Sequence, residues 1–151
     1  MTRKYIGTKV ISAFYESKGP HPLGEEGYAV IYEDGYRSWS PKAAFETAYR
    51  AIEGEGQALT FGDALHMLKL GKKVARAGWN GKGMWLVMVP GSHVPLRDGT
   101  PYHAALNTSN DGQSHVTING HIDMRTASGE MQPGWLASQT DMLASDWMVV
   151  P

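Results

Sequence analysis

The chain has 151 residues, 42% hydrophobic and 19% charged, which suits one ordinary domain or two small ones, each small one marginal by itself. Its formal net charge of -1 lacks the basic excess by which long nucleic acid is held, and 0 Cys excludes disulfides and zinc–thiolate sites. No apolar run approaches ~20 residues, so no membrane-spanning helix is expected, and the start M-T-R-K-Y-I-G has neither the apolar core nor the cleavage site of a signal peptide.

Tyr5 to Tyr15 is rich in β-branched and aromatic residues and predicts a strand. The breakers of G-P-H-P-L-G-E-E-G predict a loop, and Gly27 to Glu33 a second strand. Asp34-Gly35 predicts a hairpin turn, with Tyr36 to Trp39 returning from it. Ser40-Pro41 predicts a helix start, Ser as N-cap and Pro at the first position, and Phe45, Ala48, Tyr49 and Ile52 share one face of that helix. Residues 1–52 thus read as a small β-β-α module, in which Tyr28, Tyr36 and Trp39 form either the core or an exposed partner-binding surface. The polar stretch E-G-E-G-Q, residues 53–57, reads as a linker.

Residues 58–151 read as a second domain. Thr60-Phe61-Gly62-Asp63 predicts a capping box with Asp in the usual Glu position, followed by the stripe Phe61, Ala64, Leu65 and Leu68 and a cap at Gly71. A strand is predicted from Lys72 to about Ala77, a turn at Asn80-Gly81-Lys82-Gly83, and a strand from Met84 to Val89. Residues 91–120 read as loop. Ile122 to Arg125 predicts a short strand, Ser138-Gln139-Thr140-Asp141 a second capping box opening a helix to about Ala144, and Trp147 to Val150 a closing strand. The fold class expected is α+β: a small mixed antiparallel sheet with short helices, preceded by the β-β-α unit.

Enzyme and metal signatures are weak. The 6 His (His21, His66, His93, His103, His115 and His121) form no H-E-x-x-H motif and read as scattered surface residues. No nucleophile elbow is present, and G-W-N-G-K-G lacks the Lys-Ser/Thr ending of a Walker loop. Asp141 and Asp146 read as capping and surface groups, and no cofactor or metal is expected.

The blocks T-F-G-D-A-L-H-M-L-K-L-G-K-K-V-A-R-A-G-W-N-G-K-G-M-W-L-V-M-V (60–89) and I-D-M-R-T-A-S-G-E-M-Q-P-G-W-L-A-S-Q-T-D-M-L-A-S-D-W (122–147) carry a more specific signal. In order and content they resemble the second Thoeris anti-defence family of phage proteins, across roughly residues 58–150. The resemblance implies a non-catalytic sponge in the host cytoplasm. It implies capture of the glyco-cyclic ADP-ribose type of signal made by the Thoeris TIR enzyme, with cyclic dinucleotides as a second ligand class for some members. It also implies a compact α+β domain assembled as a homotetramer with pockets between subunits. The N-terminal residues resemble, more loosely, a module found at the start of various phage proteins.

The residues suit such a ligand. Phe61, Trp79, Trp85 and Trp135 offer surfaces for a base, although Phe61 and Trp85 read equally as core. Arg76 and Lys82 offer cations, and the amides of Gly81 and Gly83 close approach, to a pyrophosphate. Asn80, Asp123 and Ser138 offer polar contacts to ribose or the adenine edge. Asn80-Gly81 also reads as a plain hairpin turn. The alternatives are a nucleotide or ADP-ribose hydrolase, with Asp123, His121 or Asp141 as acid–base groups, and a protein-interaction module recruited through residues 1–52.

Overall fold

The computed structural model describes residues 2–18, 24–106 and 114–151; His21 and parts of the loops expected at 19–27 and 91–120 lie outside them. The chain divides into two compact units, Met1–Arg50 and Ala51–Pro151. Among the described residues every strand pairing is antiparallel. Among the described residues no helix is long and apolar enough to cross a membrane.

In the first unit, β1 (Ser12–Lys18), β2 (Glu25–Ile31) and β3 (Arg37–Pro41) form a meander, and α1 (Lys42–Ala48) follows. The three segments expected as strands all pair and the expected helix follows them, one strand more than the β-β-α label counts. β1 begins seven residues later than Tyr5, where the sequence places it, because pairing with β2 selects the segment and propensity does not. Tyr5 and Ile6 stay outside the sheet, 88% and 100% exposed. Asp34-Gly35 is a turn as expected, within the five residues that join β2 to β3: Gly35 N–H donates to the Tyr32 carbonyl at 2.9 Å, and Gly35 takes φ +82°. Ser40 does not cap α1. It is still paired to Tyr28 in the sheet, so Pro41 becomes the N-cap, without a side-chain bond. The helix ends at Ala48, which leaves Ile52 off its face. Phe45 stacks on Tyr28 at 4.2 Å and on Tyr49 at 4.9 Å. Trp39 covers Gly27, and its indole N–H donates to the Glu16 carbonyl at 3.1 Å. Of the three aromatics left open between core and surface, Tyr28 and Trp39 are thus packed, while Tyr36 is 64% exposed.

The second unit is built on a five-stranded sheet. Its strands, in chain order, are β4 (Lys73–Arg76), β5 (Trp85–Val89), β8 (His121–Arg125), β9 (Met131–Gln132) and β10 (Trp147–Val150), arranged β10-β4-β5-β8-β9. Thr60 and Asp63 close the expected capping box on α2 (Phe61–Lys69), and Gly71 follows the C-cap in the left-handed region. α2 buries Ala64, Met67 and Leu68, and the core is completed by Leu59, Val74, Leu86 and Trp147. The residues expected to be linker do not all behave as one. The Gln57 amide clasps Val149, its Oε1 accepting the backbone N–H at 2.8 Å and its Nε2 donating to the carbonyl at 3.3 Å. Leu59 then bridges to Trp147, so this segment covers the outer edge of β10.

The described residues within 91–120 hold more regular structure than the sequence suggests. β6 (Ser92–Pro95) and β7 (His115–Ile118) pair as a ribbon, with α3 (Pro101–Leu106) between them in the chain. Breaker content hid this ribbon because short two-sided strands carry little periodicity. The second capping box opens α4 (Gln139–Met142), with Ser138 as N-cap.

Candidate functional site

Sheet alternation sorts the expected site residues. Val74 pairs with Leu86, and both point to the α2 side with no exposed surface. Arg76 lies two residues from Val74 and Trp147 pairs with Arg76, so both share that side. Lys73 and Trp85, one residue removed from Val74 and Leu86, point the other way.

On the α2 side, Trp147 is 0% exposed and supports three half-buried rings. Its centroid lies 5.6 Å from Phe61, 5.5 Å from Trp79 and 6.2 Å from Trp135. Trp135 also meets Phe61 at 6.4 Å and, edge-on, Trp79 at 6.3 Å. Tilted and edge-on contacts of this kind suit the aromatic quadrupole and hold neighbouring rings at fixed angles. Phe61 arrives on the first turn of α2, Trp79 on the loop after β4, and Trp135 on the loop after β9. The last is tied to β8: the Trp135 N–H donates to the Ile122 carbonyl at 2.7 Å, and the Gly134 N–H to Asp123 Oδ1 at 3.1 Å.

Beside these rings lies a charge lock. Arg76 Nε donates to Asp146 Oδ1 at 2.8 Å and Nη2 to Asp146 Oδ2 at 3.4 Å, while Nη1 donates to Asp141 Oδ1 at 2.9 Å. The reading of Asp141 and Asp146 as capping and surface groups is thereby corrected. Asp141 does cap α4 with Ser138, but it is also one of two counter-charges for Arg76. The same Asp141 Oδ1 accepts the Trp79 indole N–H at 3.1 Å, and the Asp141 carbonyl accepts that of Trp147 at 3.0 Å. Burial pushes the Asp141 carboxyl up, but donors from Ser138, Arg76 and Trp79 outweigh it and bring the pKa down to about 2. Asp146 is lowered chiefly by Arg76, and Arg76 is raised chiefly by Asp146. The pairing of β4 with β10 causes this convergence, since Asp146 immediately precedes Trp147, the partner of Arg76.

The other expected residues stand apart from this cluster. Asn80 and Lys82 are exposed on the eight-residue loop between β4 and β5. That loop is longer than a tight Asn-Gly hairpin. Gly81 packs against Met84 and Ala127, where a Cβ would collide, so its smallness is used for packing. Gly83 adopts φ +71°, and its carbonyl accepts Arg125 Nη1 at 2.9 Å. Trp85 is half-buried on the opposite side of the sheet, with Lys73 Nζ 5.4 Å from its ring centroid and Arg125 as its cross-strand neighbour. Asp123 is 9% exposed and engaged by Gly134 and by His121 Nε2, 3.3 Å away. Ser138 gives its hydroxyl to the cap, donating to Asp141 Oδ2 at 2.7 Å. Sequence reasoning passed over Asp146, Trp147 and Arg125 as site groups. Only the T-D-M-L-A-S-D-W block, as a dense end-of-chain cluster, hinted at the first two.

Of the histidines, His93 and His115 stack at 5.1 Å on the β6–β7 ribbon, with Thr117 Oγ1 2.9 Å from His93 Nδ1. Among the described residues no three His, Asp or Glu side chains converge as metal ligands. A separate groove of about 300 Å³, lined by Val94, Pro95, Leu96, Arg97, Thr100, Tyr102 and Val116, shares no residue with the aromatic cluster.

Fold and site together define a small α+β domain that presents a clustered aromatic surface beside a loop locked by charge. Residues 59–150 match the family model described as the Thoeris anti-defense 2-like domain, and the chain belongs to that family. Anti-defence is the class of function that membership carries. The chain is also 35% identical over 92 residues to Thoeris anti-defense 2 of Bacillus phage SP01, a match that spans 61% of this chain and 94% of that relative.

Proposed function

We propose that this chain is a phage anti-defence protein that binds a cyclic ADP-ribose-type signal of the Thoeris system in the host cytoplasm and holds it without degrading it. The observation that carries the reading is the platform of Phe61, Trp79 and Trp135 on the buried Trp147. Adenine is flat and largely apolar, and base–aromatic stacking contributes about 1–3 kcal/mol per base. A sponge also needs a surface that is ordered before the ligand arrives, since loops fixed only on binding would weaken capture. The charge lock and the two capped helices supply that order.

The charges refine the expected roles. Arg76 already faces two carboxylates, so the pyrophosphate falls to Lys82, which forms no ion pair among the described residues. Exposed Asn80 serves the ribose, while Asp123 and Ser138 act by holding the Trp135 loop and α4. The platform is an open surface, and a homotetramer would close it with a neighbouring subunit. Cyclic dinucleotides remain a second ligand class in this proposal.

The test is to mix the protein with excess cyclic ADP-ribose-type signal, remove the protein, and assay the solution before and after heating the recovered complex. Capture at a fixed ratio, with intact signal returned on heating, is expected. Continuing turnover to a cleaved product would replace this reading with the hydrolase one, for which His121 and Asp123, 3.3 Å apart, are acid–base candidates.

A further inference from the structure

We propose that Asp141 is a positioning residue for this site: it sets the plane of Trp79 and so the shape of the aromatic platform, without itself meeting ligand. The inference rests on the platform reading above. Asp141 is 8% exposed, and both its carboxylate oxygens are occupied. Oδ2 accepts the Ser138 hydroxyl at 2.7 Å and the Ser138 N–H at 3.1 Å, which fixes the carboxylate to the start of α4. Oδ1 then faces Arg76 and the Trp79 indole together, at 2.9 Å and 3.1 Å. No acceptor oxygen is left turned toward a ligand.

The two indoles that Asp141 holds are held differently. Trp147 is bonded by the backbone carbonyl, a contact that survives any side-chain change. Trp79 is bonded by the side chain alone, and Trp79 is the ring carried on a loop with no strand or helix of its own. Its backbone contributes an N–H to the Arg76 carbonyl at 3.3 Å, a long bond that fixes the chain but not the ring. An indole turned on edge against Trp147 and Trp135 has lost much of its own packing freedom only if the N–H end is pinned, and Asp141 is the pin. Because the acceptor is ionised, this bond is stronger and more directional than one to a neutral oxygen.

A double-mutant cycle decides the matter. The variants are Asp141→Asn, Trp79→Phe and the pair, each measured for affinity toward the glyco-cyclic ADP-ribose type of signal and, without ligand, for the exciton couplet of the packed indoles in circular dichroism. Asp141→Asn is expected to weaken affinity about tenfold and to diminish the couplet, and to do neither in the Trp79→Phe background, while its loss of melting temperature persists there. An equal loss of affinity in both backgrounds, or an unchanged couplet, overturns the proposal. If Asp141→Asn does not fold, Asp141→Glu decides, because it keeps the charge and suits the cap but moves the acceptor away from the Trp79 indole. Weaker affinity with a diminished couplet supports positioning, and wild-type affinity overturns it. If the wild-type protein does not bind the glyco-cyclic ADP-ribose type of signal, the sponge reading fails, and the couplet still tests what Asp141 does to Trp79.

Discussion

The two sides of the five-stranded sheet use the same residue types to different ends. On the α2 side a cation, Arg76, is matched by two carboxylates beside a cluster of four aromatic rings. On the other side Lys73 and Arg125 flank a single ring, Trp85, and neither forms an ion pair among the described residues. An Arg whose charge is already matched organises structure, whereas one that is not can attract an anion. The difference shows why a cation and a tryptophan in the same ten-residue stretch need not serve one site: a strand sends successive side chains to opposite faces.

The largest effect should come from the floor of the cluster. Trp147→Ala is expected to cost about 3–5 kcal/mol in denaturant unfolding of the second unit, since it removes the largest fully buried side chain among the described residues. A cost below about 1 kcal/mol would mean that the rings do not rest on Trp147. Next, Trp79→Ala should weaken capture of the cyclic ADP-ribose-type signal about 10- to 100-fold in calorimetric titration while the protein stays folded. Trp85→Ala, on the opposite side, should leave capture within about twofold. A loss equal to that of Trp79→Ala would break the comparison and return both rings to one pocket.

Acid should act on the locked side. The Asp141 pKa is lower in the folded chain than its ordinary value of 3.8, so its stabilisation is complete above about pH 4 and is lost as pH falls through about 2. That loss is about 2 kcal/mol, and it should disappear from the acid limb of the stability curve in Asp141→Asn. The smallest effect concerns the first unit. The family match, residues 59–150, lies within the second unit, so removal of residues 1–50 should leave capture within about twofold by the same titration.

Local features were legible in the sequence because short-range chemistry sets them. Thr60–Asp63 and Ser138–Asp141 cap their helices as their spacing predicts, and Trp147 to Val150 is a strand with the bounds expected. The second unit was also recognisable by its two blocks. Boundaries decided by a partner were not legible: β1 is displaced along the chain by its register with β2, and Ser40 is kept from capping by its place in β3. The β6–β7 ribbon was likewise hidden, since its pairing joins residues on either side of α3.

The same division runs through the site. Residue types alone determined that aromatic rings, cations and small polar groups suited to an adenine nucleotide are present between Phe61 and Ser138. Tertiary structure decided which of them meet. Pairing of β4 with β10 brings Asp141 and Asp146 to Arg76 across 65 and 70 residues, while the alternation of β5 turns Trp85 away. A sequence records which groups can donate, accept or stack. Strand register and sheet face, fixed by burial of Val74, Leu86 and Trp147, determine which of them stand within reach of one another.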